Sequence, residues 1–265
     1  MTRVLQVSDT HFGTQRAVAV AALQQLCGML RPDLLLVTGD ITQRARASEF
    51  AAARAFFDAL DVPARLIVPG NHDIPLFDLF ARTFAPHGRH VRAFGDALEG
   101  EFERDDLLLV ALNTTRRWRH VQGQVSAAQI ARVEARMAAA RPGQLRLVAV
   151  HQPVAALLDE DVGNLLRGHE QAVLRWAAAG VDAVVGGHIH LPYVLPLRQR
   201  WPDLPRAMWA VQAGTALSRR LRGGIDNSVN LIRCGPAAAV ERWDLDTAAG
   251  CFLRVGATPI GPQAR

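Results

Sequence analysis

The sequence contains no lysine and only one tyrosine, and cysteine is scarce. All 30 basic residues are arginine, and with 25 acidic residues the net charge is +5. Cys27, Cys234 and Cys251 have no metal-like spacing, so they predict no cysteine metal site, and reduced thiols are typical of the cytoplasm. No stretch approaches the roughly 20 apolar residues needed to cross a bilayer. We therefore expect a protein with no membrane span.

Length and composition favour one large folded unit. With 265 residues, of which 49% are hydrophobic, the chain predicts a single domain over residues 1–255 and a loose tail over 256–265. The first apolar run begins at Arg3 or Val4, which leaves no room for a cleavable signal ahead of it and predicts a cytoplasmic location. The modest positive charge would attract anionic substrates and is weak evidence for nucleic-acid binding, so we expect no nucleic-acid partner.

Five short apolar runs each end in polar residues that bind metal ions. The runs at 4–7, 34–37, 66–68, 147–150 and 181–185 are followed, in order, by Asp9 and His11, by Asp40, by Asn71, by His151, and by His188 and His190. Runs of this kind predict strands buried on both faces, as in sheets covered by helices. In α/β sheets, ligands lie beyond the carboxyl ends of the strands, so we expect these side chains to converge.

The number and kind of these donors indicate more than one ion. Seven nitrogen and oxygen donors without a cysteine are too many for one tetrahedral zinc. They suit two ions roughly 3.5 to 4 Å apart if one carboxylate, Asp40, bridges them. Imidazole with carboxylate and amide oxygen fits manganese, iron or zinc, and the pattern does not distinguish among these metals.

The order of the motifs resembles that of the calcineurin-like metallophosphoesterases. The family pattern D-x-H, GD, GNH(D/E), a lone His and GHxH is present from about residue 4 to 192 as Asp9-Thr10-His11, Gly39-Asp40, Gly70-Asn71-His72-Asp73, His151 and Gly187-His188-Ile189-His190. Among small members the chain is most similar to the bacterial cyclic-nucleotide phosphodiesterase and glycerophosphodiesterase group. The resemblance implies an α/β fold, a four-layer α-β-β-α sandwich of two facing mixed sheets.

The resemblance also implies roles for individual residues. One metal would be held by Asp9, His11, Asp40 and His190, and the other by Asp40, Asn71, His151 and His188. A hydroxide bridging the two metals would attack phosphorus. His72 would lie beside the substrate phosphate and protonate the leaving oxygen.

One position departs from the pattern of the protein phosphatases in this family. Those members continue GD as GDxxDRG, whereas Gln43 stands here in place of the carboxylate that would pair with the general-acid histidine. Asp73 follows His72 directly and is a second candidate catalytic residue for that pairing, although adjacent side chains seldom face each other. Gln43 at this position argues against a protein phosphatase. The sequence does not identify the side chain that pairs with His72.

Two arginine-rich segments are candidates for substrate binding. Arg116 and Arg117 begin the first segment, and Arg219-Arg220-Leu221-Arg222 forms the second. A solvated loop is the default interpretation of either. Guanidinium groups match phosphate in bidentate geometry, and Arg116 and Arg117 follow a predicted strand, so we expect the first segment to line the pocket.

The remaining pattern predicts helices and a strand-rich second half. Helices are expected over 17–30, 47–59, 75–84, 126–140 and 165–179, with Ser126 as an N-cap and Gly180 as a stop, and the segment 88–96 is expected to be a loop. Short strands are expected over 193–197, 207–213, 228–232, 239–245 and 251–255, completing the second sheet.

Together these features predict a hydrolase that uses two metal ions, manganese, iron or zinc. Its expected substrate is a small soluble phosphodiester, and the leading candidate is a cyclic nucleotide. Alternatives are cleavage of the pyrophosphate of a nucleotide-sugar lipid precursor, a nuclease, and a non-catalytic binding scaffold. A homodimer is possible on this sequence.

Overall fold

The computed structural model describes residues 1–261 and contains two six-stranded sheets. The first half of the chain forms β1 (Arg3–Val7), α1 (Ala17–Leu30), β2 (Leu34–Thr38), α2 (Ala47–Asp58), β3 (Ala64–Val68), α3 (Leu79–Phe84), α4 (Gly88–Phe94), β4 (Gly100–Arg104) and β5 (Leu107–Ala111). The second half forms α5 (Ala127–Ala138), β6 (Leu145–Ala149), α6 (His169–Ala179), β7 (Ala183–Gly186), β8 (Tyr193–Pro196), β9 (Trp209–Gln212), β10 (Ser228–Arg233), β11 (Ala239–Asp246) and β12 (Cys251–Pro259). Short 3-10 turns lie at Asn71–Asp73, Asp159–Asn164 and Leu197–Gln199.

Both sheets mix parallel and antiparallel strands. The first has the order β12-β11-β10-β1-β2-β3, and the second has the order β4-β5-β6-β7-β9-β8. Helices join the parallel strands β1 to β2, β2 to β3, β5 to β6 and β6 to β7 and cover the sheet faces, whereas β7 leads to its parallel neighbour β9 through β8. All five residues of β2 and of β5 are buried, as expected of strands covered on both faces.

The alternation of side chains along the strands produces four layers. Leu34 and Leu36 of β2 pack into a core shared with Leu107 and Leu109 of β5 in the other sheet. Leu35 and Val37 of β2 point to the opposite face, where α1 and α2 pack. Residues 108 and 110 of β5 likewise face α5 and α6. The predicted α-β-β-α sandwich is confirmed.

The strands after residue 192 lie where predicted along the chain, but the prediction that they all complete the second sheet is wrong. Only β8 and β9 join that sheet, whereas β10 pairs antiparallel with β1 and carries β11 and β12 into the first sheet. The reason is that β1 has β2 on one side and needs a partner for its other edge, which β10 provides.

Helix α1 has the predicted bounds, and other helix ends require correction. The predicted helix 75–84 begins only at Leu79, where Asp78 caps it by accepting a hydrogen bond from the Ala81 amide at 3.0 Å. The predicted helix 165–179 begins at His169, after Gly168 with φ of 86°. The Ser126 cap and the Gly180 stop are confirmed.

The segment 88–96, predicted as a loop, contains helix α4. His90 and Phe94 of α4 both pack against Phe50 of α2, with ring centroids 6.1 and 6.3 Å from that ring. This apolar contact gives a short arginine-rich helix a face to bury.

The predicted loose tail is also corrected for residues 256–260. Strand β12 continues to Pro259, which pairs with Ala239, because the edge of β11 is open to it. Ile260 is buried and donates its amide hydrogen to the Ala238 carbonyl at 2.9 Å. Residues 262–265 lie outside the described residues. Among residues 1–261, no helix is both long enough and apolar enough to span a bilayer.

Candidate metal centre

The predicted metal ligands converge at one edge of the sandwich. They occupy the loops that follow β1, β2 and β3 of the first sheet and β6 and β7 of the second. Parallel strands present their carboxyl ends at the same edge, which brings loops from both sheets together. The seven residues are buried or nearly so: Asp9, His11, Asp40, Asn71, His151, His188 and His190.

Most of these ligands have an unusual backbone conformation. Positive φ angles, rare for residues other than glycine, occur at Asp9 (52°), His11 (41°), Asp40 (50°), His188 (77°) and His190 (60°). Each such residue costs on the order of 1 kcal/mol or more and persists only where surrounding contacts impose it. Here the Asp9 amide donates to the Gly39 carbonyl and the His11 amide to the Asp40 carbonyl, both at 3.0 Å. Backbone contacts between loops therefore fix the ligand positions.

Two motif glycines are required by close approach of the loops. A Cβ atom on Gly70 would collide with the backbone nitrogen of Asp40. A Cβ atom on Gly187 would collide with the Ser8 hydroxyl and the Asp9 carboxylate. The glycines of GNHD and GHxH thus let the loops of different strands touch.

The first cluster of donors is Asp9, His11 and His190. The Nε2 atoms of His11 and His190 face each other at 3.0 Å, and Asp9 Oδ1 lies 3.3 Å from His190 Nε2. This Asp9 oxygen is buried without a hydrogen-bond partner. Donor atoms roughly 3 Å apart can share an ion whose ligands lie at roughly 2.0–2.2 Å. The partnerless oxygen and the facing imidazoles fit a metal ion.

The second cluster is Asp40, His151 and His188, with Asn71 beside it. His151 Nε2 lies 3.2 Å from Asp40 Oδ1 and 3.1 Å from Asn71 Oδ1. The other nitrogen of this ring, Nδ1, lies 2.7 Å from the Thr38 carbonyl. A backbone carbonyl at Nδ1 holds the proton there and turns the Nε2 lone pair toward a metal.

Asp40 stands between the two clusters. Its Oδ1 faces His151, and its Oδ2 lies 3.8 Å from His11 Nε2. The Asp40 carboxylate therefore presents one oxygen to each cluster, the arrangement required of a bridging ligand.

The protonation states in this site favour metal binding. Although burial opposes ionisation of Asp9, the adjacent His190 holds its pKa down at about 2. Burial lowers the pKa of His11 to about 3 and that of His188 to about 4. Burial would also lower the pKa of His151, but the charge of Asp40 outweighs it and raises that pKa to about 9. Ionised carboxylates and neutral imidazoles are the states that bind metals. A cation bound near Asp40 would offset the negative charge that raises the pKa of His151, so this imidazole could also bind in its neutral form.

His72 has a partner that the sequence did not reveal. Its Nδ1 lies 2.9 Å from the backbone carbonyl of Gln43, and its amide donates to Asp40 Oδ1 at 2.8 Å. Its Nε2 faces the cavity, 3.2 Å from the guanidinium of Arg220. The residue that replaces the family carboxylate therefore supports His72 through its main chain, not its side chain.

Asp73, the candidate partner of His72 whose pairing the sequence left open, binds other groups. The Asp73 carboxylate is fully buried and accepts hydrogen bonds from the amides of Ile41, Thr42 and Gly70 at 2.8–3.1 Å, and from the Thr42 hydroxyl. Burial, reinforced by the charge of Asp40, raises the pKa of Asp73 to about 6. Its side chain joins the loops after β2 and β3 and does not face the cavity, so it positions the ligands.

The clusters open into a polar cavity of about 390 Å³. Its lining combines metal-centre residues with side chains from three further loops: Asp40, Asn71, His72, His120, Val121, Asn164, His188, Ile189, His190, Arg220, Leu221 and Arg222. The second arginine segment therefore lines the cavity. Sequence reasoning missed Asn164, which carries no motif, whereas His120 belongs to the first arginine-rich segment, residues 116–120.

The expectation that Arg116 and Arg117 line the pocket is wrong. Arg116 donates to the carbonyls of Asn113 and Thr115 at 3.0 and 2.7 Å and to the Gln129 side chain at 2.9 Å. Arg117 donates to the Thr83 carbonyl of α3. Both guanidinium groups are thus used to hold loops, whereas His120 and Val121 of the same segment line the cavity.

The two arginines that do line the cavity differ in their partners. Arg222 forms ion pairs with Asp161 and Glu160, both at 2.6 Å. Arg220 has no carboxylate partner in residues 1–261, and its guanidinium lies 3.3 Å from His11 Nε2 and 3.2 Å from His72 Nε2. Arg220 is therefore the positive charge available to an anion at the metal centre.

Comparison with known proteins agrees with this geometry. Residues 2–192 match the family model described as calcineurin-like phosphoesterase. The chain belongs to the calcineurin-like phosphoesterase family. The predicted resemblance is thereby confirmed.

Two bacterial relatives of this calcineurin-like phosphoesterase are named as phosphodiesterases. This chain is 26% identical to a probable cyclic nucleotide phosphodiesterase of Rhodococcus erythropolis, over 71% of this chain and 64% of the relative. It is 27% identical to a cAMP/cGMP dual specificity phosphodiesterase of Mycobacterium tuberculosis over 71% of this chain and 61% of that one. The chain thus matches somewhat less than two thirds of the length of each.

Solved structures share the fold at low identity. A purple acid phosphatase from yellow lupin matches 98% of this chain and 53% of its own length, with a TM-score of 0.72 and 12% identity. A dimetal phosphatase from Danio rerio matches 99% of both chains, with a TM-score of 0.69 and 14% identity.

Proposed function

We propose that this protein is a metal-dependent phosphodiesterase that hydrolyses a small anionic phosphodiester, with a cyclic nucleotide as the leading substrate. The observation that carries the proposal is the pair of donor clusters that meet at Asp40 beneath an open polar cavity. The names of the two bacterial relatives, both phosphodiesterases of cyclic nucleotides, support the substrate class.

The proposed centre holds two ions. Asp9, His11 and His190 would bind one, Asn71, His151 and His188 would bind the other, and Asp40 would bind both. Two ions in such a site acidify water near neutral pH and polarise phosphoryl oxygens. The mixture of imidazole, carboxylate and amide donors suits manganese, iron or zinc.

His72 is the proposed general acid. Its Nε2 faces the cavity, where it can transfer a proton to the leaving alkoxide oxygen. The Gln43 carbonyl accepts from Nδ1–H whether the ring is neutral or charged, so it supports the imidazolium and keeps the ring oriented. A carbonyl carries no full charge, which distinguishes this support from a carboxylate.

Arg220 is the proposed phosphate-binding residue. Its guanidinium lies between His11 and His72, on the path from the cavity to the metal clusters. A guanidinium can donate two parallel hydrogen bonds to phosphoryl oxygens. Because Arg220 has no carboxylate partner among residues 1–261, its charge is available as negative charge builds on those oxygens.

A substrate panel tests the proposal. The protein loaded with manganese, iron or zinc is assayed on bis(p-nitrophenyl) phosphate, p-nitrophenyl phosphate, cyclic AMP, a glycerophosphodiester and a nucleotide diphospho-sugar. We expect diester hydrolysis to exceed monoester hydrolysis, and cyclic AMP to be cleaved. Metal-loaded protein that prefers the monoester, or that is inactive on every diester, would contradict the proposal.

A second candidate is cleavage of a pyrophosphate in a nucleotide-sugar lipid precursor. The observation in its favour is that apolar side chains stand at the cavity mouth, where Val121 and Leu221 are 41% and 43% exposed. Turnover of the diphospho-sugar without turnover of cyclic AMP would select this candidate.

A further inference from the structure

An exposed apolar patch lies on the segment that follows the GNHD motif. We use the term apolar patch for six side chains with the following exposed fractions: Leu76 (38%), Phe77 (77%), Leu79 (70%), Phe80 (75%), Phe84 (72%) and Trp118 (67%). Large apolar side chains scattered singly are ordinary on protein surfaces, but five of these six fall within residues 76–84, where the Phe80 and Phe84 ring centroids lie 4.9 Å apart. Such a surface indicates an interaction site.

The apolar patch is continuous with the mouth of the cavity. Arg82 of α3 donates to the Arg119 carbonyl at 3.1 Å, and Arg117 donates to the Thr83 carbonyl of α3. These bonds join α3 to the segment 116–121, which also supplies His120 and Val121 to the cavity lining. Whatever binds the apolar patch is therefore held next to the opening of the metal centre.

The charge around the apolar patch that has no ion-pair partner among the described residues is positive. Arg82, Arg117 and Arg119 form no ion pair with a carboxylate among residues 1–261, whereas Asp78 is paired with Arg89 at 2.7 Å. Some arginines elsewhere are paired with carboxylates, as between α5 and β4, where Arg136 binds both Glu101 and Glu103. Arg82 and Arg117 donate hydrogen bonds to backbone carbonyls, which do not neutralise their charge. The positive charge beside exposed aromatic rings therefore complements an apolar partner that carries negative charge.

We propose that the apolar patch docks this protein onto an anionic lipid surface. Phenylalanine, leucine and tryptophan side chains insert at the boundary of headgroups and acyl chains, and arginines beside them bind lipid phosphates. Docking would present the cavity mouth to the lipid surface without any membrane-spanning helix. A second copy of the chain fits less well, because a two-fold contact through this patch would bring its three unpaired arginines against the same three in the partner.

Vesicle sedimentation tests the proposal on the full chain. The vesicles contain either phosphatidylcholine alone or equal parts of phosphatidylcholine and phosphatidylglycerol. We expect the protein to sediment with the anionic vesicles, to remain in solution with the neutral ones, and to be released by high salt. The double substitution Phe77→Ser/Phe80→Ser should weaken binding by about tenfold or more, since two exposed rings no longer insert. Arg117→Glu should weaken it by about tenfold.

Matched controls keep the experiment specific. Leu253→Ser/Val255→Ser removes two side chains of β12 that are 48% and 53% exposed, and Arg200→Glu reverses an exposed charge elsewhere; both should bind as the wild type does. Hydrolysis of bis(p-nitrophenyl) phosphate in solution should be unchanged in Phe77→Ser/Phe80→Ser, which verifies its fold. Wild-type protein that stays in solution with anionic vesicles at low salt would overturn the proposal. So would a dimer in size-exclusion chromatography that Phe77→Ser/Phe80→Ser dissociates, combined with no vesicle binding.

Discussion

The floor and the rim of the cavity are held in different ways. The floor consists of the metal-binding clusters, whose residues follow strand ends directly and are fixed by backbone hydrogen bonds between loops. The rim consists of side chains on the long connections after β5, β6 and β9, including His120, Asn164 and Arg220. The floor is therefore fixed wherever the two sheets are packed, whereas the rim depends on contacts between distant loops. Under the proposed function, the floor would carry the metal chemistry and the rim would select the substrate.

The largest effect is expected at the shared ligand of the floor. Asp40→Ala should remove the only carboxylate that faces both clusters in residues 1–261, and with it several kcal/mol of charge stabilisation, so hydrolysis should fall by roughly 10³-fold or more. Metal content of the purified protein should fall with it. Asp58→Ala, which removes an exposed carboxylate paired with Arg54 and Arg65, is the matched control. Retention of both metal and turnover in Asp40→Ala would refute the role of the floor.

His72 lies where the floor meets the rim, and its loss should be smaller and depend on the substrate. His72→Ala should lower turnover of a diester with an alkoxide leaving group by about 10²-fold, the lower end of the range for general acid catalysis. The loss should be much smaller for bis(p-nitrophenyl) phosphate, because p-nitrophenolate leaves without being protonated. Metal content should not change. Equal losses on both substrates would show that His72 binds metal or substrate and does not act as the general acid.

The rim arginines provide a direct test of which basic segment faces substrate. Arg220→Ala should lower kcat/KM by about 10 to 100-fold, the loss expected for hydrogen bonds to a charged group. Arg117→Ala, whose guanidinium binds a backbone carbonyl of α3, should change kcat/KM less than twofold. Arg220→Lys should recover part of the activity, since it keeps the charge but loses the planar fork. A larger loss in Arg117→Ala than in Arg220→Ala would reverse the assignment.

The same contrast explains how far the sequence could predict the site. Each floor residue comes directly after an apolar strand, so strand prediction alone placed Asp9, Asp40 and His151 at one edge. Both arginine segments follow strands as well, and local pattern does not distinguish them. Their difference arises from contacts between distant residues: the Ala216 amide donates to the Ser8 carbonyl and the Arg219 amide to the Thr14 carbonyl, which draws the second segment over the metal clusters.

The assignment of strands to sheets was also beyond what local sequence pattern can predict. Strand positions after residue 192 could be predicted from alternation and turn residues, but the choice of sheet could not. That choice depends on the free edge of β1, which recruits β10 from more than 200 residues away. The support of His72 by Gln43 was hidden for a related reason, because a main-chain carbonyl has no residue-type signal.

The smallest effect on activity, and the clearest effect on stability, is expected at Asp73, which lies below the floor. Its carboxylate accepts three backbone amides and one hydroxyl from the loops after β2 and β3, so Asp73→Ala would leave these buried donors without a partner. We expect the free energy of unfolding to fall by ~1–3 kcal/mol in denaturant titration. Activity of the folded fraction should fall less than tenfold, since Asp73 touches neither cavity nor ligand side chain. Asp73→Asn keeps one acceptor oxygen and should recover part of the stability. If Asp73→Ala instead kept full stability and lost activity as His72→Ala does, Asp73 would be part of the proton-transfer chemistry and not a support of the floor.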